Sequence, residues 1–525
     1  MSTPNTMPRS GRAALRAGVV GNWIDNIHVF LPLTALSPAL AVVAGPGVAA
    51  SAGAVIVIAM MLGRPLGGVI FGRIADRLGR TATTRIAIAG TALCALLIAA
   101  MPTHELLGGG TIACILVLRF LGGIFVAGEY SAAIPLAMEW SKPRKRGLMS
   151  GLILSMAAWA QAAIAFCTAA MILWLGPDTY ALWGWRAMFV FGALLSLGML
   201  VYYSRNVTDA PNFHRAHAEA DQEARAEVAP DSVSTTNARA RSTAGTTTHP
   251  RKVSLRDLLA GRWAKPFWTA FILMTGLWLL TNSTVIILTS RLASDAGLPP
   301  TGVGIAMGCA SVAQAVFMAV AGHLSSFTGR RKLFVLWGAS ASVLGPVLWW
   351  TAINSTSLWT AALLAAVLQV ATVAAYGPVA SYLSELFPAR LRSTGYGSAY
   401  SLSLILPALY PFYLPWLESW MGPRAAVMGF VALGGILVIV GALCGPRLSP
   451  ADQDADIDTV AHRVVESRTS TGAPSTAETD EAALPDAGSQ ASLQPVASAG
   501  TGAEGAGNAD GGHASSGIGS VEETR

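Results

Sequence analysis

Twelve stretches of this 525-residue chain are apolar over the roughly 20 residues that a helix needs to cross the hydrocarbon core of a bilayer. They lie near 17–43, 50–72, 84–102, 110–138, 147–175, 183–204, 266–290, 301–324, 332–353, 357–383, 393–417 and 423–445. Lipid offers the backbone no hydrogen-bond partners, so each run must close its own bonds as a helix. The fold class expected is therefore an all-α membrane protein with 12 transmembrane helices. Charged residues make up only 12% of the chain, about half the soluble average of roughly 25%. That excludes an ordinary soluble enzyme. The first run follows Arg9, Arg12 and Arg16, but it is too long for a signal peptide and holds Asp25, so it reads as a retained helix.

The cations sort by loop. Arg9, Arg12 and Arg16, then Arg73, Arg77, Arg80 and Arg85, then Lys142, Arg144, Lys145 and Arg146, then Arg330, Arg331 and Lys332, then Arg390 and Arg392 fall on one side. The opposite loops hold Arg186, Arg291 and Arg424. The positive-inside rule then puts both termini in the cytoplasm of a multi-pass cell (plasma or inner) membrane protein. The expected organisation is a cytoplasmic N-terminus (1–16), a six-helix half (17–204), a polar cytoplasmic loop (205–265), a second six-helix half (266–445) and a tail (446–525). The tail holds 13 acids and 4 bases. It is poor in aromatics and reads as disordered, without a part in transport. Cys94, Cys114, Cys167, Cys309 and Cys444 lie in apolar runs with no metal-ligand spacing and read as small buried hydrophobes.

The two halves repeat. Gly72-Arg73-Ile74-Ala75-Asp76-Arg77-Leu78-Gly79-Arg80 ends the second run, and Gly322-His323-Leu324-Ser325-Ser326-Phe327-Thr328-Gly329-Arg330-Arg331 ends the eighth. Glu139 precedes Arg146-Gly147 by the same step that separates Glu385 from Arg392. A six-plus-six duplication suits a transporter that binds its substrate at the midplane and rocks one half against the other. The glycines of the first loop allow close helix approach, and Asp76 can pair across the mouth. Gly72, Asp76, Arg77, Gly79, Arg80, Glu139, Arg146, Glu385 and Arg392 are therefore candidate cytoplasmic gate residues. Ser326 stands where the second loop would carry its acid, so a second lock is expected to be weaker, or built from Glu385 and Arg392.

Ionisable groups at membrane depth are costly and mark function. Asp25 and His28 sit three apart on one helix face and can hold or relay a proton. A hydrogen-bonded packing pair is the alternative. Arg119 offers a planar guanidinium for bidentate carboxylate binding, or it neutralises Asp25. Tyr130 is eleven residues on, near the same face, with Glu129 beside it. Arg64 lies among the close-packing pairs Gly63/Gly67 and Gly68/Gly72, and no role is assigned to it. In the second half the candidate lining residues are Asn282, Gln314, Gln369, Tyr376, Tyr396 and Tyr400, each also readable as packing. Pro407, Pro411 and Pro415 should kink the eleventh run.

These residues carry a resemblance. Gly72–Arg80 resembles the signature loop of the major facilitator superfamily. Gly21-Asn22…Asp25, Arg119…Gly123…Gly128-Glu129-Tyr130, Trp183-Gly184-Trp185-Arg186…Phe189, Asp209-Ala210-Pro211-Asn212-Phe213 and Glu385-Leu386-Phe387-Pro388…Arg392 resemble its metabolite:proton symporter branch, which includes carriers of proline/betaine, shikimate, citrate and 2-oxoglutarate. The resemblance spans roughly 17–445 and implies two six-helix halves. It also implies Asn22, Asp25, His28, Arg119, Glu129 and Tyr130 as the proton-coupling and substrate residues. The chain departs from the branch pattern at His28, Gly122, Ala127, Met188 and Ser326.

The function expected is proton-coupled symport of a small organic anion or zwitterion by alternating access. The partners expected are that solute, protons and the lipid bilayer, with no nucleic acid, no cofactor and no metal, and with a monomer as the working unit. A proton-antiport exporter is the alternative, although Gly151–Gln161 lacks the proline of the exporters' fifth-helix motif. A transporter-like sensor is a reading from a different class. No clustered His/Asp/Glu or Ser/His constellation suggests an enzyme.

Overall fold

The computed structural model describes residues 7–45, 49–216, 218, 222 and 255–466. All belong to a unit that ends at Gly472. Most of the central loop, and the tail from 467 onward, lie outside the described residues.

The helices are α1 (Arg9–Phe30), α2 (Ala49–Leu78), α3 (Arg80–Ala99), α4 (Gly110–Trp140), α5 (Arg146–Leu175), α6 (Trp185–Asn206), α7 (Ala264–Thr281), α8 (Pro300–Thr328), α9 (Arg330–Ile353), α10 (Leu358–Thr372), α11 (Arg392–Leu402), α12 (Pro423–Cys444) and α13 (Ile457–Glu466). Among the described residues ten spans are long and apolar enough to cross a membrane, and the first run adds a pair bent by 40° after Ala35. The remaining run, 393–417, divides into α11 and two short helices, Ile405–Ala408 and Tyr410–Met421. Pro407 and Pro411 fall in these pieces, and each removes an N–H from the helical ladder. Short π-helical turns interrupt the first and seventh runs at Leu31–Ala35 and Asn282–Ile287.

The repeat fixes how the halves meet. α2 packs along α11, and its counterpart α8 packs along α5. Both seams are lined by glycine. A Cβ on Gly72 would lie 2.8 Å from Thr394 Cα, and one on Gly322 would lie 2.5 Å from Gly151 Cα. Within the first half, Gly63 and Gly67 admit the backbone carbonyls of Phe120 and Ile124. Such contact replaces the hydrophobic drive that lipid cannot supply. Gly79 (φ +100°) and Gly329 (φ +86°) occupy equivalent positions in the two copies of the loop. Each makes a turn that strains any other residue, which explains why both copies keep it.

Two expectations need correction. Residues 450–453 and 457–466, assigned by composition to the tail, are helical. Ser449 opens the first piece with a capping box to Asp452. Ile457, Val460, Ala461 and Val464 of α13 are buried, so a stripe at helical spacing supplies the apolar face that average composition conceals. Among the cysteines, Cys94 is buried, but Cys114, Cys167 and Cys444 are exposed on the protein surface. Apolar residues on an outward helix face need only lipid as a neighbour.

Candidate functional site

The cation-rich face is closed by a reciprocal lock. Asp76, near the end of α2, accepts hydrogen bonds from the backbone N–H of Ser393 (3.1 Å) and Thr394 (2.8 Å) in the first turn of α11. These N–H groups have no partner within their helix, and the dipole there favours an anion. Arg80 pairs with Glu139 at 2.9 Å and donates to Ala389 O at 2.8 Å. Arg392 of the other half reaches the same Glu139. The second copy mirrors this: Glu385 binds Arg330 at 2.7 Å in its own half and Arg146 of the first half at 3.2 Å. Arg80, Arg146, Arg392 and Glu385 are all buried. In each triad one carboxylate therefore holds a cation of its own half and one from across the seam.

Three expectations about the gate change. Glu385 is not paired with Arg392; the partners exchange between halves, giving Glu139–Arg392 and Glu385–Arg146. The second lock does not lack an acid, because Glu385 supplies it despite Ser326. Arg77 is exposed and stands outside the lock. It is one residue past Asp76, about 100° further around the helix.

The region after the last span joins this lock. Asp458 of α13 pairs with Arg392 at 2.5 Å, and it accepts from Asn212 (2.8 Å) and the Ala389 N–H (3.0 Å). Arg146 donates to Gln453 O and Ala455 O, and Arg144 pairs with Asp454 at 3.1 Å. Burial pushes the Asp458 carboxyl up, but Arg392, Asn212 and the Ala389 N–H outweigh it and hold it below the usual carboxylate range. Asp209 accepts from Thr81 N (2.9 Å) and so caps α3 beside Gly79.

Deeper in the first half, Asp25 and Glu129 lie within hydrogen-bonding reach of each other. They border a small gap of about 10 Å³ with Gly21, Asn22, Thr84, Ile88, Met199 and Tyr203. Thr91 donates to Glu129 at 3.3 Å, and Asn22 donates to Ile153 O at 2.5 Å. A hydrogen bond between two carboxyl groups requires a proton on one of them.

His28 does not join Asp25. Its Nε2 lies 2.8 Å from Ser196 Oγ. It borders a separate space with Arg119, Cys94 and Phe189. Arg119 does not neutralise Asp25 either; it donates to His28 O at 2.9 Å. The two residues of α1 are about 60° apart around the axis, enough to point them into different gaps of the bundle.

Between the halves lies a cavity of about 80 Å³, at the place where repeat transporters bind their substrate. The first half contributes Asn26, Arg64, Tyr130 and Gln161, and the second contributes Trp278, Thr281, Gln314, Tyr376 and Tyr400. Asn26 donates to Tyr130 Oη at 2.7 Å. The Arg64 guanidinium carbon lies 4.8 Å from the Tyr130 ring centre, 5.2 Å from Trp278 and 5.7 Å from Tyr400. Tyr130 faces this cavity and Arg119 does not, because eleven residues are about 16 Å along the helix. Of the other candidate liners, Asn282 donates to Pro407 O, Gln369 donates to Thr284 O, and Tyr396 stacks on Tyr400. Sequence reasoning missed Arg64, Gln161, Trp278 and Asp458. Arg64 had a signal, since it is an ionisable group inside an apolar run.

The family described as "Sugar (and other) transporter" matches residues 34–445. The glycine betaine/proline/ectoine/pipecolic acid transporter OusA of Dickeya dadantii is 29% identical, covering 77% of this chain and 77% of its own length. The proline/betaine transporter of Escherichia coli K12 is 25% identical over 83% of this chain and 82% of its own. The alpha-ketoglutarate permease of the same organism is 24% identical over 72% and 80%. Among solved structures, the MFS proton:xylose symporter XylE bound to 6-bromo-6-deoxy-D-glucose superimposes with a TM-score of 0.66 at 16% identity, covering 83% of this chain and 94% of that one. At that identity the likeness shows the fold alone.

Proposed function

The chain belongs to the sugar (and other) transporter family of the major facilitator superfamily, and from that premise we propose that it is a proton-coupled symporter importing a small organic carboxylate or zwitterion. The observation that carries the proposal is the central cavity walled by both halves and closed on one face by the exchanged Glu139–Arg392 and Glu385–Arg146 pairs. Only relative movement of the halves opens such a cavity, and that movement is alternating access. The cation bias of the locked face assigns it to the cytoplasm. On that orientation the protein is in the state shut toward the cytoplasm. The names of the relatives support small solutes bearing a carboxylate.

Asp25 and Glu129 are the proposed proton site. They share a proton in the closed state, and its release leaves two like charges in low dielectric, which drives the bundle to rearrange. Asn22 supports the pair from the same helix, and Tyr130 links it to the cavity through Asn26. His28 and Arg119, bound to each other's surroundings, are proposed as a relay or packing element behind this site. A monomer contains every part of the mechanism.

Uptake into proteoliposomes tests the proposal. With proline, glycine betaine and 2-oxoglutarate as solutes, an inward proton gradient should drive accumulation of at least one. The Asp25→Asn variant should lose the accumulation. Uptake indifferent both to the gradient and to Asp25→Asn contradicts the reading.

A further inference from the structure

The central cavity holds a cation, Arg64, with no carboxylate in its lining; Asp25, outside the lining, is the acid whose charge reaches that cation, and Tyr130 shares a side-chain hydrogen bond with the guanidinium. Arg64 is 4% exposed. Its Nε and Nη2 are buried and donate to nothing among the described residues. These two atoms form one edge of the guanidinium, the edge that presents two parallel N–H groups to a carboxylate. The opposite requirement, that the side chain be held still, is met by the rings of Tyr130, Trp278 and Tyr400, whose centres lie 4.8–5.7 Å from its charge centre. Tyr130 stacks on Tyr400 at 5.2 Å, and Trp278 meets Tyr400 edge-on at 5.2 Å, so the cradle is itself braced. Leaving buried donors unpaired costs stability, and a cation in a near-apolar cavity costs more. A ligand that supplies an anion and two acceptors recovers both.

We propose that Arg64 is the anchor of the substrate carboxylate, gripping it side-on through Nε and Nη2. The cradle rings come from both halves: Tyr130 from the first, Trp278 and Tyr400 from the second. A carboxylate on Arg64 therefore touches the seam on which alternating access turns. Trp278 and Tyr376, which meet edge-on at 5.8 Å, line the cavity beside Arg64 and border the remainder of the solute. For a zwitterion, an alkylated ammonium there gains cation–π attraction. For a simple organic acid, the amides of Gln161 and Gln314 supply hydrogen bonds to its other oxygens. The shared chemistry is the carboxylate, and the choice between zwitterion and acid is a matter for the test. The inference rests on the reading of the chain as a solute transporter and names the group that recognises the solute.

The test is equilibrium binding by the purified full chain in detergent, read by calorimetry. Proline, glycine betaine and 2-oxoglutarate are compared with prolinamide, choline and xylose. At least one carboxylate should bind, and its carboxyl-free counterpart should bind at least about tenfold more weakly, a loss of roughly 1.4 kcal/mol. Arg64→Gln should abolish the preference, and Arg64→Lys should restore part of it, since lysine keeps the charge without the fork. The matched solutes keep the proposal testable on the wild type even if the variants fold poorly. A merely structural Arg64 would not distinguish proline from prolinamide. Equal binding of the two, wild-type affinity in a folded Arg64→Gln, or no carboxylate binding at all overturns the inference. Failure of this inference is separable from failure of the transport reading. Proton-driven uptake of a carboxyl-free solute would sink the anchor and leave the transporter. Arg64-dependent binding without any uptake would do the reverse.

Discussion

Glu385 shows what one carboxylate does in this protein. It lies buried between Arg330 and Arg146, accepting from both, so removing its charge leaves two cations facing each other out of water. Breaking a buried pair in this way costs about 3–5 kcal/mol. Glu385→Gln should therefore destabilise the closed state by that order, read as a lowered melting temperature of the purified protein and as faster labelling of a cysteine placed at Ser150, which is buried beside the seam. Glu385 and Glu139 were legible in the sequence because the repeat placed each ahead of an arginine. Their partners were not. A repeat spacing says which residues correspond, while the exchange of Arg146 and Arg392 across the seam depends on how two bundles face each other. Arg64 failed to register for a related reason. Its glycine neighbours describe packing on α4, whereas its role comes from rings far off in the chain, Trp278 and Tyr400. Asp25 and Glu129 each stand out as an acid inside an apolar run, but only the packing of α1 on α4 brings them together.

At the scale of elements, periodicity located the spans well because each helix must be apolar over a bilayer's thickness; the eleventh run breaks around Pro407 and Pro411, while Pro415 sits inside the continuous helix Tyr410–Met421. The last helix is hidden by the composition around it. α13 carries four buried apolar residues in a region whose overall composition is acidic and polar, and its partners are the lock residues themselves. Asp458 ties α13 to Arg392, and its carboxyl is held below the usual range. A depressed carboxyl contributes stability above its ordinary pKa of about 3.9, and the contribution is lost as pH falls through the lowered folded value. Its side chain is 27% exposed, so solvent screening puts Asp458→Asn near the low end of the roughly 1.5–3 kcal/mol given by hydrogen bonds to charged groups. The melting temperatures of wild type and variant should differ at pH 7 and converge as the pH drops below about 3.9. A difference unchanged across that range would show that α13 is held by its apolar face alone.

On the scale of the whole molecule three features lie along one path: the Asp25–Glu129 carboxyl pair proposed as the proton site, a cavity between the halves, and a lock that shuts one face. Asp25 and Glu129 belong wholly to the first half, while the cavity and the lock belong to both. Protonation can therefore influence the solute only by changing how the halves meet. Coupling of two ligands through such a shared state is reciprocal in binding free energy, so the proposed symport requires that solute binding favour proton binding as much as the reverse. The most direct measurement loads proteoliposomes with a pH-sensitive dye and imposes no proton gradient. A carboxylate that binds the protein is then added outside. Its downhill entry should acidify the lumen in the wild type, and Asp25→Asn should abolish the acidification. Entry of the solute at the wild-type rate with no movement of protons would contradict the proposed symport.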